Sequence, residues 1–446
     1  FCFRCQLLRL GGRRLRGMGQ PAAAPLPSTS AESARVRSET APEAEGSPPQ
    51  QLFVLVHGIC GHARDFEVWE ERLRACERPD WVVRISEKIT PHAKFAGSEV
   101  CKLGEMLAGE VIDWVKELHI QAGIVVHFVC HSLGGLVARA ALPKICEELD
   151  DEVPSVSYGH FITLNTPHLG VRGANLWMCW KNMGVLIPTA AFSQIHQLTL
   201  QDRSGETPSS ETLRSEPSSS SVTTSSGAQK PSRRFLESLA DPQGRWCEAL
   251  ARFRHRTAVA ASHWDVIVPF CTAAICSHNP FPSPNIFAGD FRTFWRVDAA
   301  VGFEADSPLA KKNAEGGQVA LDFEKSLSQA PVAAEGGPEV SSSDEAPSSG
   351  SEDARSAAPS SRRSEKRRWL HSSDREVEFT AAMLDGMNAG PPWRRVVYTL
   401  HQPWVNADVH LFTIGKDRKV IDWSRQFIDL LISMLSEPKV QPKSSP

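Results

Sequence analysis

The chain has 446 residues, a formal net charge of -3 and a pI near 6.6. Dedicated nucleic-acid-binding proteins are usually clearly basic, so this charge balance argues against a nucleic-acid partner. No apolar run approaches the roughly 18 residues that a membrane-spanning helix needs, and the 11 cysteines are scattered as free thiols in a reducing compartment usually are.

Three segments have too little apolar side-chain area to form a core. They are residues 1–50 and two low-complexity stretches at about 203–234 and 305–368. Such compositions do not offset the entropy lost on ordering, so we expect them to be disordered. The start of the first segment is basic and free of acids, which is also typical of targeting peptides. One domain is expected over 51–437, interrupted by the two stretches, with a disordered tail at 438–446.

Within this domain, continuous apolar runs alternate with segments whose apolar residues recur every three or four positions. The runs are typical of buried parallel strands, and the periodic segments are typical of helices packed on one face. The predicted strands are 51–58, 81–87, 124–131, 156–167, 256–262 and 393–400. The predicted helices are 100–118, 133–149 and 420–436. This alternation predicts an α/β fold with a mostly parallel central sheet flanked by helices.

Ser132 lies between a predicted strand and a predicted helix, in the sequence HFVCHSLGGLVARAAL. Such a junction forces a sharp turn that exposes the hydroxyl at the carboxyl edge of the sheet. Gly134 and Gly135 remove side chains where strand and helix pass closely. These residues predict a nucleophilic serine, with the N–H of Leu133 as an oxyanion donor. Cys130 replaces the usual glycine two positions before the serine, and we expect a slight widening to accommodate this small residue.

The sequence LVHGICGH ends the first predicted strand and carries a His–Gly pair. A glycine there lets the backbone approach a substrate oxygen, so we expect the second oxyanion donor in this turn. We assign the donor to the N–H of Ile59, with Gly58 as the alternative. The side chain of His57 is expected to be structural.

A serine nucleophile needs a base, and the base needs an acid that orients it. In strand–serine–helix sites the acid and then the histidine follow the serine along the chain. Asp265, in SHWDVIVPF, follows a predicted strand and is the predicted acid. Two histidines follow the last predicted strand. His410 is the predicted base because it lies farther along the loop, and His401, which abuts the strand, stays the alternative.

Five segments together resemble the serine esterase family of lipase-like α/β-hydrolases. They are FVLVHGICGHARDF, VCHSLGGLVARAAL, FITLNTPHLGVRG, ALARFRHRTAVAASHWDVIVPFCTAAI and PPWRRVVYTLHQPWVNADVHLFTIG. The resemblance implies an α/β-hydrolase fold, with Ser132 as nucleophile and Asp265 as acid, and the family's histidine position suits His410. It also implies hydrolysis of a lipid-like acyl ester through an acyl-enzyme, which requires no metal or organic cofactor.

The segment 172–200 follows TPHLG and is rich in apolar residues. Lids and acyl pockets often lie at that point of such folds, although a core-packing role explains the composition equally well. An apolar lid would favour a lipid-like substrate and transient contact with a membrane surface.

The free cysteines and the lack of a clear signal peptide predict a cytoplasmic location. The oligomeric state is not indicated by the sequence.

Two other functions fit the same residues. The chain could be a non-catalytic interaction scaffold built on a hydrolase fold, although serine, aspartate and histidine in the right order argue against this. A protein acyl-thioesterase would use the same three residues, so the sequence does not separate it from an esterase.

Overall fold

The computed structural model describes residues 48–90, 99–118, 120, 123–153, 155–171, 193–200, 202, 234–282, 295–316, 381–400, 406–416 and 420–436. The insertion expected at about 203–234 and most of the one expected at 305–368 lie outside these residues. The N-terminal residues 1–47 and the tail from 437 lie outside them too, as does the part of the predicted lid segment at 172–192.

Seven strands form one sheet in the described part of the chain. They are β1 (Gln50–Val56), β2 (Trp81–Ile85), β3 (Ile124–His131), β4 (Val156–Leu164), β5 (Phe253–Ala261), β6 (Trp295–Val301) and β7 (Trp393–Leu400). Their order across the sheet is β2-β1-β3-β4-β5-β7-β6. All neighbours are parallel except β6 and β7, which are antiparallel. The predicted α/β fold with a mostly parallel sheet is therefore confirmed.

The helices fall between these strands. They are α1 (Glu67–Arg74), α2 (Val100–Glu117), α3 (Leu133–Glu152), α4 (Ser193–Leu198), α5 (Phe235–Leu239), α6 (Arg245–Ala251), α7 (Phe270–Ala274), α8 (Pro308–Gly316), α9 (Ala381–Asn388), α10 (Asn406–Phe412) and α11 (Ile421–Ser433). Short 3-10 helices at Ala63–Phe66 and Met434–Ser436 precede α1 and follow α11. None of the helices in the described ranges has both the length and the apolar character that a bilayer crossing requires.

Both faces of the sheet are covered, which accounts for the continuous apolar runs. Along β1, Leu52, Val54 and Val56 pack in a cluster with residues of α2 and α3. The alternate residues Phe53 and Leu55 pack in a second cluster with residues of α1 and α11. Successive strand residues point to opposite faces, so a strand covered on both sides must be apolar throughout. Burial of each such side chain contributes about 1.5–3 kcal/mol.

Strand β6 and helix α8 lie where the sequence predicted no regular structure, and the short helices α1, α4–α7, α9 and α10 were not predicted either. Strand β6 was not predicted, because its buried residues Trp295 and Val297 alternate with the exposed Arg296. That alternation fits its place as an antiparallel strand at the sheet edge. Helix α8 lies inside the stretch at 305–368 that was expected to be disordered. That expectation is wrong for 308–316, because Leu309 is fully buried in the cluster shared with α11.

Candidate active site

Ser132 occupies a sharp turn between β3 and α3. Its backbone has φ 53° and ψ -127°, a conformation that non-glycine residues rarely adopt and that surrounding contacts must hold in place. Its N–H donates to the carbonyl of Leu164 at the end of β4 (2.9 Å), and its own carbonyl accepts from the N–H of Gly135 (3.1 Å). The neighbouring strand and the helix start therefore both fix the turn.

The glycines after the serine allow the helix start to pack closely on the sheet. A Cβ at Gly134 would lie 2.4 Å from the carbonyl oxygen of Val56, at the end of β1. A Cβ at Gly135 would lie 2.3 Å from the hydroxyl oxygen of Thr166, after β4. Both distances are far below any real contact, so these positions require glycine as the sequence predicted.

Cys130 is a core residue of β3. It pairs in register with Val56 on β1 and Thr163 on β4, and the one irregularity of the β3–β4 pairing lies earlier, between Val126 and Phe128. Its side chain is fully buried in the cluster under α2 and α3. Burial raises the pKa of this thiol well above its ordinary value, so it stays protonated. The turn thus accommodates cysteine with regular strand pairing on both sides.

Asp265 and His410 meet although 145 residues separate them in sequence. Asp265 follows β5, and its Oδ2 lies 2.8 Å from Nδ1 of His410. Its Oδ1 accepts the N–H groups of Ile267 (3.0 Å) and Val268 (2.9 Å). Both side chains of the pair are buried, with 3% and 4% exposed. A carboxylate can only accept, so Nδ1 of His410 carries the proton and Nε2 is left as the basic nitrogen.

His410 lies in helix α10, whereas the sequence placed it in a loop. The alternative base His401 lies outside the described residues.

Three side chains that the sequence analysis did not single out hold the segment of His410 in place. Nε2 of His131 donates to the carbonyl of His410 (2.9 Å). The Tyr398 hydroxyl donates to the carbonyl of Val409 (2.9 Å) and accepts from Nδ2 of Asn165 (2.9 Å). Asn165 Nδ2 is also 3.4 Å from the carbonyl of His410. These contacts anchor two consecutive carbonyls of α10 to the ends of β3, β4 and β7.

The side chain of His131 is itself neutral. Burial lowers the pKa of His131 well below its ordinary value, and the nearby His410 lowers it further. Since its partner is a carbonyl oxygen, Nε2 of His131 carries the proton. The only sequence feature that could have indicated a role for His131 is its position next to the serine. No sequence feature indicates a role for Asn165 or Tyr398, because only the fold brings these two residues together.

The turn after β1 begins against the serine. A Cβ at Gly58 would lie 2.8 Å from Cβ and 3.3 Å from Oγ of Ser132. The Gly61 N–H donates to the carbonyl of Gly58 (3.1 Å), which closes a turn with Ile59 and Cys60 at its centre. Leu133 is the first residue of α3, so its N–H has no acceptor in a preceding helical turn. The two predicted oxyanion donors thus belong to two turns that meet at Ser132.

Two contacts link the turn after β1, and the short helix that follows it, to other segments of the chain. Nε2 of His57 lies 2.8 Å from the Thr90 hydroxyl, and burial lowers the pKa of this histidine. Asp65 forms an ion pair with Lys416 at 2.8 Å, and the Asp65 side chain is only 5% exposed. The ion pair joins the 3-10 helix Ala63–Phe66 to the segment that follows α10. His57 therefore has the structural contacts that the sequence predicted.

His168, from the TPHLG segment, is fully buried. Its Nε2 lies 2.9 Å from the Thr163 hydroxyl, and its ring packs edge-on against Trp393 (5.2 Å). Within the described ranges, no group of three or more His, Cys, Asp or Glu side chains has the arrangement of a metal site.

Comparison with known proteins shows the family to which the chain belongs. Residues 47–278, which are more than half of the 446-residue chain, match the sequence family described as "Putative serine esterase (DUF676)". The matched segment contains the turn after β1, Ser132 and Asp265. A comparison with curated protein sequences gives no match.

Several solved structures resemble parts of the chain. The lipase BlEst2 of Bacillus licheniformis in its mature form is 19% identical, with 36% of this chain and 60% of that chain covered, and a TM-score of 0.25. Its propeptide form is 16% identical, with 50% and 38% covered, and a TM-score of 0.29. Lipase B of Aspergillus fumigatus is 20% identical, with 28% and 26% covered, and a TM-score of 0.21. The chain thus spans less than two thirds of the length of each of these structures.

Proposed function

Because the chain belongs to the family described as putative serine esterases, we propose that it is a serine hydrolase that cleaves acyl esters. In this proposal Ser132 is the nucleophile, His410 the general base and Asp265 the orienting acid. The observation that carries the proposal is the buried Asp265–His410 pair, in which the carbonyl of His410 is bound by His131, the residue directly before the serine.

The proposed reaction begins with attack of the Ser132 hydroxyl on the acyl carbon. Nε2 of His410 takes the hydroxyl proton, which makes the serine oxygen nucleophilic. The carboxylate of Asp265 keeps the proton of the neutral ring on Nδ1 and stabilises the imidazolium that forms. The N–H groups of Ile59 and Leu133 then hold the negative oxygen of the tetrahedral intermediate.

The intermediate collapses when His410 returns the proton to the leaving alcohol. Water then attacks the acyl-enzyme, with His410 again taking a proton, and the acid product leaves. All proton transfers run through residues of this chain, so no metal or organic cofactor takes part in the proposed steps.

We further propose that the acyl group is lipid-like. The support is the apolar composition of 172–200, which follows β4 at the active-site edge of the sheet. Transient contact with a membrane surface is part of this proposal, because a lipid ester must be taken from an aggregated or bilayer source. Residues 172–192 of that segment lie outside the described residues, so this support comes from the sequence.

Labelling with a fluorophosphonate probe tests the nucleophile. We expect the intact protein to be labelled and Ser132→Ala to be unlabelled, because the probe phosphorylates the activated serine. Ser262→Ala is a matched control, since Ser262 is a buried serine at the end of β5. Labelling that persists in Ser132→Ala, or that is absent from the folded wild-type protein with detergent or lipid present, would refute the proposed role of Ser132.

A substrate panel then tests the acyl group. It compares p-nitrophenyl esters of short and long acyl chains with the matching acyl thioesters. Faster cleavage of long-chain oxygen esters supports the proposal, whereas a clear preference for thioesters would replace it with the thioesterase alternative. Single His410→Ala and His401→Ala variants assign the base, because loss of kcat is expected in the first and not in the second.

A further inference from the structure

Three guanidinium groups are buried on the side of the sheet that α3 covers. Arg139 lies on α3, Arg256 on β5 and Arg395 on β7, with exposed fractions of 0%, 2% and 8%. Arginine is rarely buried without an acidic partner, because removing a charge from water is costly. The hydrogen-bond partners of each group therefore decide whether its burial is balanced.

Arg395 is satisfied by neutral acceptors. It donates to the carbonyls of Ala274 (2.8 Å) and Ile275 (3.2 Å) and to Oδ1 of Asn388 (2.7 Å). Its hydrogen-bonding demand is met, but its positive charge remains in the same buried region.

Arg139 and Arg256 are not satisfied. Nη2 of Arg139 donates to the carbonyl of Leu239 (2.7 Å), while its Nε and Nη1 are buried without a hydrogen-bond partner. Nη2 of Arg256 makes a long contact to the carbonyl of Ala389 (3.5 Å), and its Nε is also without a partner. The Arg256 guanidinium also lies over the ring of Trp393 at 5.1 Å. Three donor nitrogens on the two cations are thus buried without a hydrogen-bond acceptor.

No carboxylate in the described part of the chain balances these two charges. Burial lowers the pKa of Arg139 and of Arg256 to about 10 in each case, and the charge of Arg139 contributes to the lowering at Arg256. Both groups still carry their protons at neutral pH. The nearby Cys247 does not supply the missing negative charge, because burial raises the pKa of its thiol. An unbalanced buried cation is strongly destabilising.

A surface groove lies near these two cations. It has a volume of about 300 Å³ and lies between α6 and the turn after α9. Cys247 and Ala389 are among its lining residues, and the carbonyl of Ala389 is the one that Arg256 contacts. Cys247 is close enough to both arginines for their charges to act on its thiol. The groove, whose lining also includes Glu248, therefore shares two neighbouring residues with the guanidinium groups.

We propose that Arg139 and Arg256 form a binding site for a small monovalent anion of the size of chloride, which enters through this groove. The ion would accept from the free Nε and Nη1 donors and balance the charge. A small monovalent ion loses less hydration energy on burial than phosphate or sulfate. Bound there, it would join α3, which starts after Ser132, to β5, which ends before Asp265. This inference does not depend on the proposed hydrolase activity.

Thermal unfolding at constant ionic strength tests the site. Sodium chloride replaces sodium gluconate stepwise from about 5 to about 200 mM, and Tm is followed by intrinsic fluorescence. We expect Tm to rise by about 3 °C when chloride exceeds Kd about tenfold. Equal Tm in the two salts would overturn the proposal, because a screening effect would not distinguish the anions.

Two variants locate the effect. Arg256→Gln is expected to lose the chloride-dependent rise in Tm. Arg254→Gln is the matched control, since Arg254 lies two residues away on the same strand and is exposed, and it is expected to keep the rise. A chloride effect that survives in Arg256→Gln would overturn the assignment.

Bromide provides a second measurement that does not depend on the variants folding. Crystals of the wild-type protein soaked in sodium bromide are expected to give an anomalous peak between the Arg139 and Arg256 guanidinium groups. Anomalous peaks confined to other places would refute the site.

Discussion

A row of aromatic rings crosses one face of the sheet and makes the protein sensitive to acid. The ring of Phe53 on β1 stacks on His127 of β3 at 4.5 Å. His127 stacks on His160 of β4 at 5.5 Å, and His160 contacts His255 of β5 at 4.7 Å. Three imidazole rings on adjacent strands are thus in direct contact, so protonation of one raises the cost of protonating the next.

The hydrogen bonds of His127 fix it in the neutral form. Its Nδ1 accepts the backbone N–H of His160 (3.1 Å) at the irregularity in the β3–β4 pairing, and its Nε2 donates to Oε1 of Gln51 (2.9 Å). A second proton on Nδ1 would break the first bond. Burial lowers the pKa of His127 to about 3, with His255 adding to the effect.

The pKa values of the other two histidines in the row are lowered as well. Burial lowers the pKa of His255 to about 4, assisted by the charges of Arg394 and Arg254. Burial also lowers the pKa of His160 well below its ordinary value, and the charges of His127, His255, Arg394 and Arg254 act in the same direction.

The stability change follows from proton linkage. The folded-state pKa of His127 lies below its unfolded value of about 6.5, so its contribution is complete above pH 6.5 and is lost as pH falls. With a folded pKa of about 3, the unfolded state at pH 5 gains about 2 kcal/mol over the folded state from this one group. His160 and His255 add to the loss in the same direction.

Urea unfolding at pH of about 7.5 and about 5 measures this effect. His127→Phe keeps the stack but removes the titration. At the higher pH it is expected to lose about 1–2 kcal/mol, because the N–H of His160 loses its acceptor. Between the two pH values it should lose about 2 kcal/mol less than the wild type. His278→Gln, outside the row, should behave as wild type. Equal pH-dependence of the wild type and His127→Phe would refute this reasoning.

Four further substitutions test the proposed site. Asp265→Asn should lower kcat by about 10³–10⁴ with the fold retained, as checked by circular dichroism. Tyr398→Phe loses the bond that holds α10 and should lower kcat about tenfold with little change in KM. Gly58→Ala puts a methyl group against the nucleophile and should slow fluorophosphonate labelling about 100-fold. Cys130→Gly should keep full labelling but lose about 1–2 kcal/mol of stability in urea. Unchanged kinetics in any of the first three would contradict the corresponding role.

The sequence predicts the parts of the fold that are buried on both sides. Strands β1, β3 and β7 were found within two residues of their ends, because a short continuous apolar run in an α/β chain is typical of a strand covered on both faces. Strand β6 was not predicted, because it has only alternate buried residues at a sheet edge. The helices other than α2, α3 and α11 were not predicted either, because short helices such as α10 do not show a clear helical periodicity. In both cases the local sequence pattern is weak, and tertiary packing determines the secondary structure.

Some residues of the candidate site are also predictable from local sequence, whereas others are not. The serine turn has a local signature, since strand, serine and glycines follow one another directly. The pairing of Asp265 with His410 depends on β5 and β7 being neighbours in the sheet. The sequence predicts this pairing only from the order in which serine, aspartate and histidine follow one another along the chain. The positions of Asn165 and Tyr398 depend on three strand ends meeting, which no local pattern records.

The strand order therefore decides whether the proposed site exists. Gly58 follows β1, Ser132 follows β3, Asn165 follows β4, Asp265 follows β5 and His410 comes after β7. These five strands are consecutive across the sheet, in the order β1-β3-β4-β5-β7. Since parallel strands end at one edge, each strand adds one residue to a single line of side chains and turns. The long segments outside the described residues fall between these strands in the sequence, not within them, so all five strands that carry the proposed site are described.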